Sequence, residues 1–282
     1  VEEFSISKLL GDGFEIGKPM PRPFNTGMNQ GGACLSIDNK KIYITICNLK
    51  GGMGSCDLYE SSYKDGKWSE LKNLGSPIND STWQSQACLS SDGKTLYFSS
   101  DRAGGFGEKD IWFIVKDSLG YWSSPINAGP SINTAKDEKS PFIHTDNKTL
   151  YFCSNGHPSL GAFDIFYSKL DSNKAWKKAK NIGYPINSEA DDLGFFVSTD
   201  GRTGYFASNK MKGNGGWDIF SFELYEGARP DKVLFLKGKI TDEKGNPISD
   251  ASFEVRDMVS NEVIKVEVDS NGEYVFAKAM DH

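Results

Sequence analysis

Histidine is nearly absent from this chain: His144, His157 and His282 are the only three in 282 residues. That leaves little material for general-base chemistry or for a histidine-bound metal. No Gly-x-Ser-x-Gly stretch occurs, so the nucleophile turn of common serine hydrolases is missing. The five cysteines contain no Cys-x-x-Cys pair, which removes the usual zinc and dithiol spacings. "SDGKTLYF" sets Asp beside Gly and carries no Trp, so it fails the sialidase Asp-box; "SDRAGGFGEKD" lacks EF-hand spacing. Lys and Arg are dispersed and the formal net charge is −6, which argues against nucleic acid as a partner. No apolar run reaches the ~18 residues of a membrane-spanning helix. The chain opens on Val1 without an initiator Met or a secretory signal pattern, and is read as a processed protein or a piece of a longer one.

What is present favours strands. Aromatic residues make up 12% of the chain, and Phe, Tyr, Ile and Thr outweigh Leu in the apolar runs. Thirty glycines and many Asp-Gly and Asp-Asn pairs imply tight turns. These features recur at a fixed interval. Asp38, Asp92, Asp146 and Asp200 are each 54 residues apart, as are Tyr43, Tyr97, Tyr151 and Tyr205. Trp68, Trp122 and Trp176 keep the same step, and so do Asn79, Asn133 and Asn187. Asp110, Asp164 and Asp218 follow it, with Asp57 one residue out of phase because its preceding loop is one residue longer.

Each unit reads as four strands: a, a tight turn, b, a Gly-rich loop, c, and a Trp-bearing d. Near-continuous apolar character in b and c implies burial on both faces. A four-stranded unit stacked on its copies has that property, so the predicted fold is all-β, a β-propeller over residues 1–228. Glu3, Phe14 and Asn25 lie 54 residues before Asp57, Trp68 and Asn79, so the chain opens on strands c and d of an earlier unit. The last unit stops after c. Two closures stay open: five blades with the first incomplete, or a four-bladed ring in which "GFEIGKPMPRPFN" completes the last blade. Residues 233–282 break the period; their alternation and the "KGNP" and "SNGE" turns predict part of a small β-sandwich.

The unit "SSDGKTLYFSSDRAGGFGEKDIWF" resembles the WD40-like periplasmic propeller repeat, also found in TolB-type proteins. "GSCDLYESSYKDGKWSELKNLGSPIN", "DEKSPFIHTDNKTLYFCSNG" and "NIGYPINSEADDLGFFVSTDGRTGYFASN" are similar in wording to OmpA-family proteins of Bacteroidetes. "VLFLKGKITDEKGNPISDASFEV" resembles a carboxypeptidase-regulatory-like module, here its N-terminal part. The resemblance implies a periplasmic protein associated with the outer membrane. It implies peptidoglycan anchoring through a domain not present in these residues, and an architecture shared with a component of the type nine secretion system.

The resulting expectation is a non-enzymatic scaffold without cofactor or metal, whose partner is an outer-membrane or secretion-system protein. A sugar- or peptide-binding propeller and a regulatory propeller of an enzyme stand as alternatives. The b–c and d–a loops emerge on one side of a propeller, and there Trp83, Phe106, Leu160, Met211 and Trp217 are candidates for a partner-binding face. Trp83 and Trp217 packed between blades is the competing reading. Gln30, Gln84, Glu138 and Asp192, again 54 apart, are candidates to line a central mouth holding water or a small ligand. Cys47 and Cys56 flank "NLKGGMGS"; a disulfide across that loop and two free thiols both fit. A disulfide there adds roughly 2–3 kcal/mol and needs an oxidising compartment. Cys34, Cys88 and Cys153 read as small core residues, His144 as structural and His157 as a solvated loop residue. The periodic aspartates read as turn formers and as acceptors of backbone N–H groups at the start of strand c.

Overall fold

Three of the four units turn from strand a to strand b by the same Ser–Asp device, and in the third unit along the chain Asp146 alone accepts from Lys148 N (2.8 Å) and Thr149 N (2.9 Å). Asp38 accepts a hydrogen bond from Lys40 N (3.0 Å), and Ser36 Oγ accepts one from Lys41 N (2.9 Å). Ser90 with Asp92 and Ser198 with Asp200 repeat it. A short side chain satisfying nearby backbone donors is what makes Ser and Asp turn residues. The computed structural model describes residues 2–11, 13–209, 216–249, 251–258, 261 and 263–280.

The described chain is all-β apart from one 3-10 turn, Glu226–Ala228. Short strands come first: β1 (Ser5–Ile6), β2 (Leu9–Leu10), β3 (Gly13–Phe14) and β4 (Lys18–Pro19). Blade I comprises β5 (Gln30–Leu35), β6 (Lys41–Cys47), β7 (Cys56–Lys64), β8 (Lys67–Trp68) and β9 (Lys72–Asn73). Blade II comprises β10 (Gln84–Leu89), β11 (Thr95–Ser100), β12 (Asp110–Val115) and β13 (Ile126–Asn127). Blade III comprises β14 (Glu138–Ile143), β15 (Thr149–Ser154), β16 (Asp164–Lys169) and β17 (Lys180–Asn181). Blade IV has three strands, β18 (Asp192–Val197), β19 (Thr203–Ser208) and β20 (Asp218–Glu223). Within the described residues the strands of each blade pair antiparallel as a meander, and single parallel bridges, Cys56↔Trp83 and Lys109↔Asp137, join successive blades. The d strand is shorter than its sequence suggests. Trp122 and Trp176 make single bridges to the end of strand c, and only two residues, such as Ile126–Asn127, form the outer edge.

The strand a register breaks at one place in every blade, for example between Ser85 and Cys88. The bulges put Gly32, Gln86, Ser140 and Gly194 at positive φ. Successive bulges touch: Ser140 N donates to Gln86 Oε1 at 2.9 Å. At Gly32 a Cβ would lie 2.7 Å from Gln86 Cα, so this close approach calls for glycine, whereas Gln86 and Ser140 adopt the same positive φ with side chains.

Blades stack face to face. Leu58, Ile111 and Ile165, one from strand c of each of blades I to III, are 0% exposed. Each packs on strands a and b of the next blade; Ile165, for instance, lies with Phe195, Val197 and Phe206. Burial of one such side chain is worth about 1.5–3 kcal/mol, so the blade interfaces carry much of the stability. The architecture is a β-propeller with four blades. The N-terminal segment adds the c–d half of another, because Ser5↔Pro19 and Leu9↔Phe14 reproduce Tyr59↔Asn73 and Tyr63↔Trp68 at the 54-residue step.

After blade IV the chain is fastened to blade III. Tyr151 Oη donates to Ala228 O (2.6 Å), and Asp231 N donates to Asp146 Oδ2 (2.9 Å). The remaining strands are β21 (Val233–Lys239), β22 (Ser252–Arg256), β23 (Val263–Glu267) and β24 (Glu273–Ala279). They form two two-stranded sheets, β21–β24 and β22–β23, with Phe253 edge-on to Tyr274 at 4.7 Å. Lys40 of blade I reaches Asp269 and Glu273 of this part.

Candidate protein-binding face

The b–c loops are built on the periodic aspartates. Asp110 accepts hydrogen bonds from Phe106 N (2.5 Å), Gly107 N (3.1 Å) and Asn127 Nδ2 (2.7 Å). Asp57 does the same with Met53 N, Gly54 N and Asn73 Nδ2, and Asp164 with Leu160 N, Gly161 N and Asn181 Nδ2. Each carboxylate thus holds its loop through two backbone donors and an amide, a strong charge-assisted arrangement. Gly107 lies flush on the d–a loop backbone at Lys136, where any side chain would collide with the carbonyl oxygen.

The outcome is an apolar tip at the same loop position in three successive blades: Met53, Phe106 and Leu160, all exposed. Sequence reading found Phe106 and Leu160 but missed Met53. Its place as the residue four before Asp57, like Phe106 before Asp110, is the signal that finds it. Trp217 is also exposed. Trp83 is half-buried: its N donates to Asp101 Oδ1 (2.7 Å), and Lys109 Nζ lies 5.8 Å from its ring. Met211 lies outside the described residues.

Gln30, Gln84, Glu138 and Asp192 are buried, at 0–2% exposure, and each bonds to its own d–a loop. Glu138 accepts from Thr134 N (2.7 Å), Thr134 Oγ1 (2.8 Å) and Ser154 Oγ (2.6 Å). Gln84 binds Asp80 and Thr82, Gln30 binds Thr26, and Asp192 binds Ser188. Burial pushes the Glu138 carboxyl up to about 7 against the pull of Ser154 and Thr134. At Asp146 burial acts in the same direction, but contact with His144 and bonds from Lys148 N and Thr149 prevail and hold it at about 2.

His144 is fully buried: its Nε2 lies 3.2 Å from Ser198 O, and its Nδ1 accepts from Asp146 N at 3.2 Å. His157 departs from its expected solvated state. Its Nε2 lies 2.7 Å from Ile132 O and its ring rests on Phe152 and Phe166. One blade earlier Arg102 has this role, bonding Ile78 O and lying over Phe98 and Trp112. A shared structural place, 54 residues on at the carbonyl, explains both side chains. Cys47 and Cys56 are joined by a disulfide across β6 and β7. Cys88 and Cys153 are buried, and Cys34 is half-buried with its sulfur 3.8 Å from that of Cys88. Among the described residues no cluster of three or more His, Cys, Asp or Glu could hold a metal ion.

Fold and loops together define a class: a β-propeller with an apolar, tightly tethered rim on one face. No protein-family model matches the chain, and no curated protein matches it. Among solved structures it is similar to TolB from Acinetobacter baumannii, at 14% identity and a TM-score of 0.49, over 95% of this chain and 58% of that one. It is also similar to putative TolB from Agrobacterium tumefaciens (17%, TM-score 0.45, 91% and 92% covered). A third is α-L-arabinofuranosidase from Lactobacillus brevis (12%, TM-score 0.44, 75% and 72% covered).

Proposed function

We propose that this protein is a non-enzymatic scaffold of the periplasm whose b–c loop face binds an outer-membrane or secretion-system protein. The carrying observation is the recurrence of an exposed apolar tip in blades I to III, each held by a carboxylate that fixes its loop. Exposed apolar groups on a preorganised frame bind without the cost of ordering the loops. The Cys47–Cys56 disulfide favours an oxidising compartment. Glu138 and Asp146, carboxyls displaced from their ordinary range, are both spent on hydrogen bonds within the fold, which favours a structural over a catalytic use. Wall attachment, in this reading, belongs to another domain, and the propeller's share is to hold the partner in place.

The test is recovery of partner from outer-membrane extracts by the whole chain and by a Met53→Asp/Phe106→Asp/Leu160→Asp variant. The three side chains are exposed, so the melting temperature should stay within a degree or two while recovery falls at least tenfold. Equal recovery by both proteins removes this face as the binding surface.

A further inference from the structure

Equivalent positions on strand a of the four blades hold Cys34, Cys88, Phe142 and Phe196, each 54 residues on from the last. Between blades III and IV the two rings meet, with centroids 4.9 Å apart. Between blades I and II two thiols take that place, and their sulfurs are 3.8 Å apart. The backbone sets this approach. Gly32 lets strand a of blade I lie against Gln86 of blade II, two residues before each cysteine. Leu89 N then donates to Cys34 Sγ at 3.2 Å, so the backbone of blade II holds a sulfur of blade I. Cys34 packs against the apolar clusters of the I–II and II–III junctions, and the pair sits inside a complete blade junction.

The three free cysteines differ in their surroundings. Cys153 is 0% exposed, and burial pushes its thiol up to about 12. Cys88 is buried, and its bond to Cys34 together with that burial raises its pKa. At Cys34 the opposite holds. The hydrogen bond with Cys88, helped by Leu89 N, outweighs burial and lowers the thiol below its ordinary range. Cys34 is also the most exposed of the three. A stabilised thiolate within reach of solvent is the attacking group in thiol–disulfide exchange.

We infer that Cys34 and Cys88 form a thiol–disulfide exchange site, whose substrate is a small disulfide and whose product is a covalent crosslink between blades I and II. The Cys34 thiolate attacks one sulfur of the disulfide, forming a mixed disulfide and releasing one thiolate. That thiolate takes the Cys88 proton. The Cys88 sulfur then attacks Cys34 Sγ and releases the second thiol. Two cysteine thiols are oxidised, and one disulfide is reduced to two thiols. The sulfurs must close from 3.8 Å to a bond of about 2.05 Å. The site does not rest on the proposed partner-binding role of the loop face.

The probe is glutathione disulfide, applied to the whole native chain. With Cys47 and Cys56 bonded, three thiols remain. After oxidation, alkylation in denaturant should label Cys153 alone. Peptide mass mapping should find Cys34 joined to Cys88 with the loss of two hydrogens. Cys88→Ala should stop halfway and retain one glutathione on Cys34, while Cys34→Ala should leave Cys88 unmodified. The oxidised parent should melt at least about 5 °C above the unoxidised one, a gain that Cys88→Ala should not show. Native protein that keeps all three thiols at equilibrium with the probe overturns the inference. So does a crosslink through Cys153, or a glutathione adduct on Cys88 in place of Cys34. Thiol counting and mass mapping are read on the parent chain, so the result does not hang on a variant's folding.

Discussion

At the scale of single residues, period and chemistry diverge in informative places. Glu138 occupies the position held by Gln84 and Gln30 in earlier blades, yet carries an ionisable group in the same dry setting. Burial raises its pKa from 4.5 to about 7, so the folded state favours the neutral acid. Its contribution to stability is full below about 4.5 and is lost as pH rises towards 7. The loss is about 3 kcal/mol if the whole shift is expressed. Glu138→Gln, which installs what the other blades use, should match the parent in melting temperature at pH 4 and exceed it at pH 8. Parallel pH profiles for the two proteins would show that Glu138 ionises without penalty. Asp146 shows another divergence. It is spaced as a turn aspartate, but it also receives Asp231 N and is buried beneath the segment leaving blade IV.

The element of interest is the clasp between strand c and the d–a loop. Asn133 accepts from Ile111 N (2.8 Å) and donates to Ile111 O (2.9 Å), both in the interior, and to the half-buried Asn127 Oδ1 (2.8 Å). Asn133→Ala strands two backbone groups away from water, at a cost of about 3 kcal/mol. Asn25→Ala removes the same clasp from the half blade, where the surroundings are half-open, and should cost under about 1 kcal/mol. Urea denaturation at unchanged m-value measures both; equal losses would mean the half blade is as well packed as the complete ones. The 54-residue spacing of these asparagines was plain in the sequence, but their bonding partners were not. Asn133 and Ile111 are 22 residues apart, and only the meander brings them together.

For the whole molecule, uneven coverage predicts uneven opening. Strands β11 and β15 are covered on both sides, while β20 has a bare face. Native-state amide exchange should be slowest in β11 and β15 and faster by at least tenfold in β20. Uniform protection would show that this face of β20 is covered in solution.

The sequence by itself determined the blade: its length, its a–b turn, the tethering aspartates and the apolar stripes. These are local or repeat at fixed spacing, and four copies of one pattern reinforce each other. Tertiary structure alone decided which copies meet. It drew Gln30, Gln84, Glu138 and Asp192 into their own loops, set the bulges of Gly32, Gln86 and Ser140 against one another, tucked His157 over Phe152 and Phe166, and left Ile219 uncovered. A residue's spacing fixes its place within a blade. Its exposure depends on the neighbouring blade, whose position is set by packing between surfaces far apart along the chain.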